Sequence, residues 1–240
     1  MNKSIVLRVC RSDMTSYNGF IWPEKGYVEA PDWDAKEECG HGLHGWFEAQ
    51  GDASCSHFLN EPGAKYLVLK VKTNSIIHLD GKCKFPGAKV CFVGNREEAL
   101  AYIEKTYPHL LTMPLLFANR TAGDSGVVAT GDYGTATAGD YGTAIAGNYG
   151  TVKVGYYGTA KAGYYGTATA GKYGTATAGK YGTAKAGRYG TATAGDRGII
   201  QIHYFTDRAR IAIGYIGEKG LKPNAKYKLD ANHNFVEDVS

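Results

Sequence analysis

The sequence predicts a mainly β protein, in which a parallel β-solenoid with two octads, or 16 residues, per coil is flanked by an N-terminal α+β domain and a C-terminal β-hairpin cap. Three observations predict it. Glycine recurs at 123, 131, 139 and every eighth residue to 195, with a second series from 126 to 198. Tyr stands between the paired glycines at Tyr133, Tyr141, Tyr149, Tyr157, Tyr165, Tyr173, Tyr181 and Tyr189 and is followed by Thr-Ala-x-Ala, so the unit is G-x-Y-G-T-A-x-A. On both sides of this block the period vanishes, and from Ile199 ordinary strand alternation returns. A period this strict marks a repeat architecture, and the segments are 1–105, 106–122, 123–198 and 199–240.

Residues 1–105 read as a compact α+β domain. The stretches SIVLRVCR, KYLVLKV, NSIIHL and AKVCFV predict strands. NREEALAYIEK predicts a helix with Asn95 as N-cap and with Glu97 and Glu98 in the first turn, where the helix dipole favours negative charge. Residues 106–122 are apolar, are interrupted by Pro108 and Pro114, and read as a packed connector that caps the start of the solenoid.

In the octads, Thr-Ala-x-Ala alternates between glycine-bearing turns, so each octad offers one short strand and one bend. Eight extended residues make a perimeter of about 27 Å, and two facing sheets use about 10 Å at each end, which leaves almost nothing for strands. Sixteen residues give about 53 Å and a strand on each face. The residue between the alanines varies freely (Thr137, Ile145, Lys153, Lys161, Thr169, Thr177, Lys185, Thr193) and therefore points outward, while the alanines point in. The expected solenoid has about five coils and is about 24 Å long at the inter-strand spacing. Its core is thin: two buried methyls per octad supply about 1 to 2 kcal/mol, less than the cost of ordering eight residues. Backbone ladders, stacked side chains and capped ends must supply the rest. The tail from Ile199 provides IIQIHYF, the turn TDRA, RIAIGYI and AKYKLDANHNFVE, which read as two hairpins.

Net charge is only +4, with 27 basic against 23 acidic residues, so attraction to nucleic acid or to a membrane is not indicated. There is no signal-peptide core at the N-terminus and no long apolar run, which predicts a cytoplasmic protein. Five cysteines (Cys10, Cys39, Cys55, Cys83, Cys91) read as reduced thiols.

Two groups of residues are candidates for function. The tyrosines become two ladders of four in a 16-residue coil, able to stack or to join a second solenoid as a homodimer, and Tyr156 and Tyr164 add to them. The residue after the first glycine runs Asp124, Asp132, Asp140, Asn148, Tyr156, Tyr164, Lys172, Lys180, Arg188, Asp196, an ordered change from acidic through aromatic to basic. The second group is ECGHGLHGWFEAQGDASCSHF. Cys39, His41, His44, Cys55 and His57 could in principle ligate zinc, although the spacing matches no common module. The glycines around His41 and His44 indicate backbone drawn close to a strand or a ligand.

The octad resembles half of the 16-residue repeat of bacterial ice-nucleation proteins, which implies a β-solenoid and raises ice binding as one possible activity. Against it, Ile145, Lys153, Lys161 and Lys185 interrupt the Thr-x-Thr rows that ice binding implies. The whole chain is similar to an uncharacterised phage and bacterial family through CGHGLHGW (39–46), KFPGAKVCFVGNREEALAYI (84–103) and KPNAKYKL (222–229). The segment order of the first domain also resembles ADP-ribosyltransferases, which would imply NAD handling at Arg11, His41, His44 and Glu98 with the solenoid as a spacer. The leading expectation is a non-enzymatic protein that presents Tyr, Thr and charged side chains for protein binding or self-association, without cofactor or metal.

Overall fold

The computed structural model describes residues 2–239 and divides into two units, Met1–Leu116 and Phe117–Ser240. The first unit is a seven-stranded antiparallel sheet with, among the described residues, one α-helix and several short 3-10 turns. Its strands are β1 (Lys3–Cys10), β2 (Gly26–Glu29), β3 (Leu43–Phe47), β4 (Lys65–Lys72), β5 (Ile77–Leu79), β6 (Lys82–Phe85) and β7 (Gly87–Gly94), in the spatial order β2-β7-β4-β1-β3-β6-β5. β1 lies at the centre, pairing over its whole length with β4 and on its other side with β3. Helix α1 (Arg96–Thr106) opens with a capping box in which Asn95 accepts from the Glu98 amide and Glu98 accepts from the Asn95 amide.

The four predicted strands are present as β1, β4, β5 and β7, and α1 follows where the Asn95 cap places it. Strands β2, β3 and β6 are additions. β3 carries the sequence LHGWF, part of the stretch whose glycines indicate backbone drawn close to a strand or a ligand. A Cβ at Gly45 would lie 2.6 Å from the Leu7 carbonyl oxygen, so the glycine permits close pairing with β1 and does not mark a turn. The segment 106–122 is not a single connector. Leu110, Leu115 and Leu116 are buried in the first unit, where the Leu116 amide donates to the Ala49 carbonyl, while Phe117 onward belongs to the second.

The second unit is a two-sheet parallel solenoid. It starts with β8 (Asn119–Ala122) and β9 (Val127–Ala129), so the first rung forms from residues that lack the octad consensus. Eight four-residue strands follow: β10 (Thr135–Ala138), β11 (Thr143–Ala146), β12 (Thr151–Val154), β13 (Thr159–Ala162), β14 (Thr167–Ala170), β15 (Thr175–Ala178), β16 (Thr183–Ala186) and β17 (Thr191–Ala194). Every pair is in register sixteen residues apart, as in Thr135↔Thr151 and Thr143↔Thr159. The even-numbered strands make one sheet and the odd-numbered strands the other. Alanines point inward, and Ala136, Ala144, Ala160, Ala168, Ala176, Ala184 and Ala192 are fully buried.

Each turn closes with a hydrogen bond from the second glycine amide to the first glycine carbonyl, as from Gly174 to Gly171 at 3.0 Å. The residue in the left-handed region is the tyrosine, with φ between 53° and 61° in all eight octads. The glycines serve a different purpose. A Cβ on Gly171 would lie 2.6 Å from the Gly155 oxygen and 2.7 Å from the Gly155 carbonyl carbon, backbone atoms of the preceding coil. Coil-to-coil approach, and not positive φ, therefore dictates glycine there.

The C-terminal hairpins finish both sheets. β18 (Ile199–Phe205) joins β16 in parallel and is covered by antiparallel β19 (Ala209–Tyr215); β20 (Lys226–Leu229) runs antiparallel to β17 and pairs with β21 (Phe235–Glu237). Ile200, Ile202, Ile216 and Tyr227 take over the core where the alanines stop, so the tail supplies the bulk that an alanine stack lacks.

Candidate functional site

The solenoid presents two turn edges and two sheet faces. The first edge carries Ser125, Tyr141, Tyr157, Tyr173 and Tyr189 in successive coils. Its rings stack at 5.3, 4.9 and 5.1 Å, with planes within 10°, 9° and 22°. The second edge carries Tyr133, Tyr149, Tyr165 and Tyr181, stacked at 4.8, 5.3 and 4.9 Å. Phe117 lies at one end of this ladder and Arg197 at the other, the latter donating from Nη1 to the Tyr181 hydroxyl at 3.2 Å. The two expected ladders of four are therefore present. Tyr156 and Tyr164 stand edge-on to Tyr157 and Tyr165, each at 4.5 Å.

Tyr in a left-handed turn costs about 1 to 2 kcal/mol, and each stacked pair returns about 0.5 to 1.5 kcal/mol. The stacking gain is of the same order as the conformational cost and does not exceed it, so coil stability alone does not account for the rings. Tyr141 and Tyr189 remain 61% and 57% exposed.

The graded position after the first glycine sorts differently on the two edges. On the first edge it reads Asp124, Asp140, Tyr156, Lys172, Arg188; on the second, Asp132, Asn148, Tyr164, Lys180, Asp196. Asp124 and Asp140 each accept, through Oδ1, the amide of the same position one coil on, at 2.8 and 2.7 Å. Asp132 and Asn148 do the same on the second edge. Their remaining oxygens are left to solvent on the first edge, where both aspartates are exposed, whereas Asp132 is buried. Lys172 and Arg188 lie over ladder rings, at 4.8 Å from Tyr173 and 4.5 Å from Tyr189. Among the described residues, none of Asp124, Asp140, Lys172 and Arg188 is ion-paired, whereas Lys180 and Asp196 pair across coils on the second edge at 3.4 Å.

Thr-x-Thr rows alternate with lysine on the even-numbered sheet, where Lys153 and Lys185 interrupt Thr137 and Thr169. On the odd-numbered sheet Thr175, Thr177, Thr191 and Thr193 form two adjacent uninterrupted rows, and the Thr191 hydroxyl bonds that of Thr175 at 3.2 Å.

In the first unit, His41, His44, Cys39, Cys55 and His57 line one cavity of about 490 Å³, together with Arg8 and Lys82. Arg11 and Glu98 do not line it. Arg11 pairs with Glu61 at 3.5 Å and lies over Phe58, and Glu98 is committed to the helix cap. The four residues of the NAD reading are thus not assembled into one site. Nor do the thiols and imidazoles converge on a metal: among the described residues no group of three ligands is placed to hold one. Cys39 accepts from Lys82 Nζ at 3.0 Å, His41 faces Asp32 at 3.6 Å, and Cys55 turns to the Asp80 carbonyl. All five cysteines are free, and burial pushes Cys10 up to about 11 and Cys83 to about 12.

His44 is held in one tautomer. Nδ1 donates to the Gly42 carbonyl at 3.0 Å, and Nε2 accepts the Gly40 amide at 3.5 Å. Burial first, then Lys82 and Arg8, lower its pKa to about 4. The folded pKa lies below the ordinary 6.5, so this contribution is complete above that value and is lost as pH falls toward about 4. The urea midpoint of the first unit is expected to drop across that window, and His44→Gln is expected to flatten the dependence.

Arg8 is the residue that sequence reasoning missed. It sits inside the apolar run of β1, where an arginine reads as a solvent-facing strand position, yet it is 9% exposed.

Together the register, the edges and the alanine core define a β-solenoid repeat protein with an appended α+β unit. Over the repeats the chain is similar to ice nucleation proteins: 34% identical over 110 residues to that of Xanthomonas campestris pv. translucens, covering 45% of this chain and 7% of the relative. It is 37% identical over 103 residues to that of Pseudomonas fluorescens, covering 42% and 8%, and 35% identical over 106 residues to one of Pseudomonas syringae, covering 43% and 9%. The chain thus spans less than a tenth of these relatives' length. Residues 4–102 match a family described as a domain of unknown function, DUF7666. No solved structure gives a significant match. No helix among the described residues is long and apolar enough to cross a membrane.

Proposed function

We propose that the chain is a self-associating β-solenoid protein, in which the first edge docks against the same edge of a second copy running antiparallel. One observation carries this. Along that edge the unpaired charges read acidic, acidic, Tyr156, basic, basic in five successive coils, a pattern that becomes its own complement when turned about the middle rung. A two-fold interface needs such self-complementarity, and unlike charges meeting across a rim steer and register the two copies. Asp124 and Asp140 then face Arg188 and Lys172 of the second copy, with Tyr156 at the axis and exposed Tyr141, Tyr157 and Tyr189 as the aromatic body. Tyrosine suits such a surface because it combines a large apolar area with a polar tip. The second edge, whose Lys180 and Asp196 already neutralise each other, offers no such pattern. Sedimentation at increasing protein concentration tests the reading: a chain that stays monomeric well above micromolar concentration would end it.

A second reading rests on the paired threonine rows of the odd-numbered sheet and on relatives named for ice nucleation. There, Thr175, Thr177, Thr191 and Thr193 contact the ice lattice. The expected effect is weak thermal hysteresis that disappears in Thr177→Lys with Thr193→Lys. Its absence in the unmodified chain would remove this reading.

A further inference from the structure

The first unit holds a buried cation that no carboxylate among the described residues neutralises. Arg8, on the central strand β1, lies against the cavity of about 490 Å³, and its side chain is almost wholly withdrawn from solvent. Nη1 donates to the His44 carbonyl at 3.1 Å, whereas Nε is buried with no partner. The guanidinium carbon lies 5.6 Å from the Trp22 ring centroid and 5.9 Å from that of Tyr17. Two further cations stand nearby. Half-buried Lys82 lines the cavity, and Lys84, 1% exposed, reaches the Gly40 carbonyl behind its loop. Among the described residues no carboxylate pairs with Arg8, Lys82 or Lys84. Asp32, at the rim, is taken up by the Gly42 amide at 3.0 Å and by His41.

A buried guanidinium with no carboxylate beside it is costly, and an anion that compensates its charge offsets part of that cost. The planar fork of arginine fits phosphate and carboxylate oxygens, and a neighbouring lysine adds a point charge suited to more than one negative charge. Burial lowers the Arg8 pKa to about 10, which leaves the guanidinium protonated at neutral pH. The cavity volume falls within the roughly 300 to 1,000 Å³ of organic-ligand sites. Its mouth has an aromatic wall: Tyr17 is 44% exposed and packs against His57 and Phe58 at 6.2 and 4.7 Å. We propose that this cavity binds a nucleoside monophosphate or a larger nucleotide, with a phosphate beside the Arg8 guanidinium and Lys82 and the base against Tyr17. The site concerns the first unit and stands apart from the edge-to-edge reading of the solenoid.

Calorimetry on the full chain tests it with AMP, GMP, CMP, UMP and NAD, with adenosine and inorganic phosphate as controls. At least one nucleotide is expected to bind at least about tenfold more tightly than either control, because a charge-assisted phosphate contact and a base stack each add a factor of that size. Arg8→Gln is expected to weaken that nucleotide by about tenfold or more. Because Arg8 is buried, Lys82→Gln and Tyr17→Ala serve as variants at more accessible positions, each expected to weaken binding several-fold with circular dichroism unchanged. Three results would overturn the proposal: no binding by any of the five nucleotides, inorganic phosphate binding as tightly as they do, or nucleotide affinity unchanged in Lys82→Gln and Tyr17→Ala.

Discussion

Gly171→Val is expected to abolish cooperative folding of the solenoid while leaving the first unit's transition in place. The substituted Cβ would meet the Gly155 oxygen at 2.6 Å and the Tyr156 amide nitrogen at 3.0 Å, both backbone atoms locked into the coil-to-coil ladder. No flexible side chain can yield. Relief requires the coils to separate, which breaks amide contacts such as Gly171 to Val154 at 3.1 Å and Thr175 to Gly158 at 2.9 Å. Overpacking a well-packed core costs about 1 to 3 kcal/mol or more, and lost ladder bonds add about 1 kcal/mol each. An alanine core has no large apolar reserve to absorb that. Because each coil contacts only its neighbours, the break should split the array at the middle. Hydrogen exchange read coil by coil measures this: protection is expected to fall in β12 through β16 first. Uniform wild-type protection would show that the glycines are dispensable.

Charge reversal on the first edge is the second large effect. Lys172→Glu with Arg188→Glu leaves that edge acidic from end to end, and Asp124→Lys with Asp140→Lys leaves it basic. Each variant alone is expected to be monomeric, and an equimolar mixture is expected to form heterodimers, because mixing restores opposite charges at the four charged rungs on either side of Tyr156. Light scattering on the three samples reads the result directly. The mixture should also dissociate as salt is raised, since the pairs lie at an exposed rim. The aspartate variants lose the Oδ1 bonds to the next coil, so their unfolding free energy is expected to fall by about 1 kcal/mol per bond, which makes the mixture the decisive sample. Heterodimers no more abundant than wild-type dimers at high salt would remove the electrostatic basis of the edge-to-edge reading.

The solenoid was legible because its causes are local and repeated. Perimeter arithmetic gave two octads per coil, and inward alanines with outward Thr137, Lys153 and Lys185 follow from the period of two along a strand. What escaped was the assignment of backbone conformation within the turn. Glycine is the usual tenant of a left-handed position, yet here Tyr173 occupies it at φ 60° and Gly171 answers to a neighbour sixteen residues away. A sequence read linearly does not show such a neighbour. The first unit was legible in part for the opposite reason: its pairings are distant. Gly45 and Arg8 have meaning only once β1 and β3 lie side by side, and the tempting set of Arg11, His41, His44 and Glu98 dissolved because Arg11 turns to Glu61 and Glu98 to its own helix. The histidines, by contrast, did come together around one cavity.

The alternation of strands between two sheets sets a parity on the length of the protein. β18 must enter the even-numbered sheet and β20 the odd-numbered one for their bulky residues to fill the end of the core. Loss or gain of a single octad would deliver both hairpins to the opposite sheets and would exchange the two edges for every turn downstream, placing Lys180 where Lys172 belongs and scrambling the charge order. Loss or gain of two octads would leave every face, edge and cap in place. The array can therefore grow or shrink only in whole coils, like a stair that accepts complete flights and no half-landings.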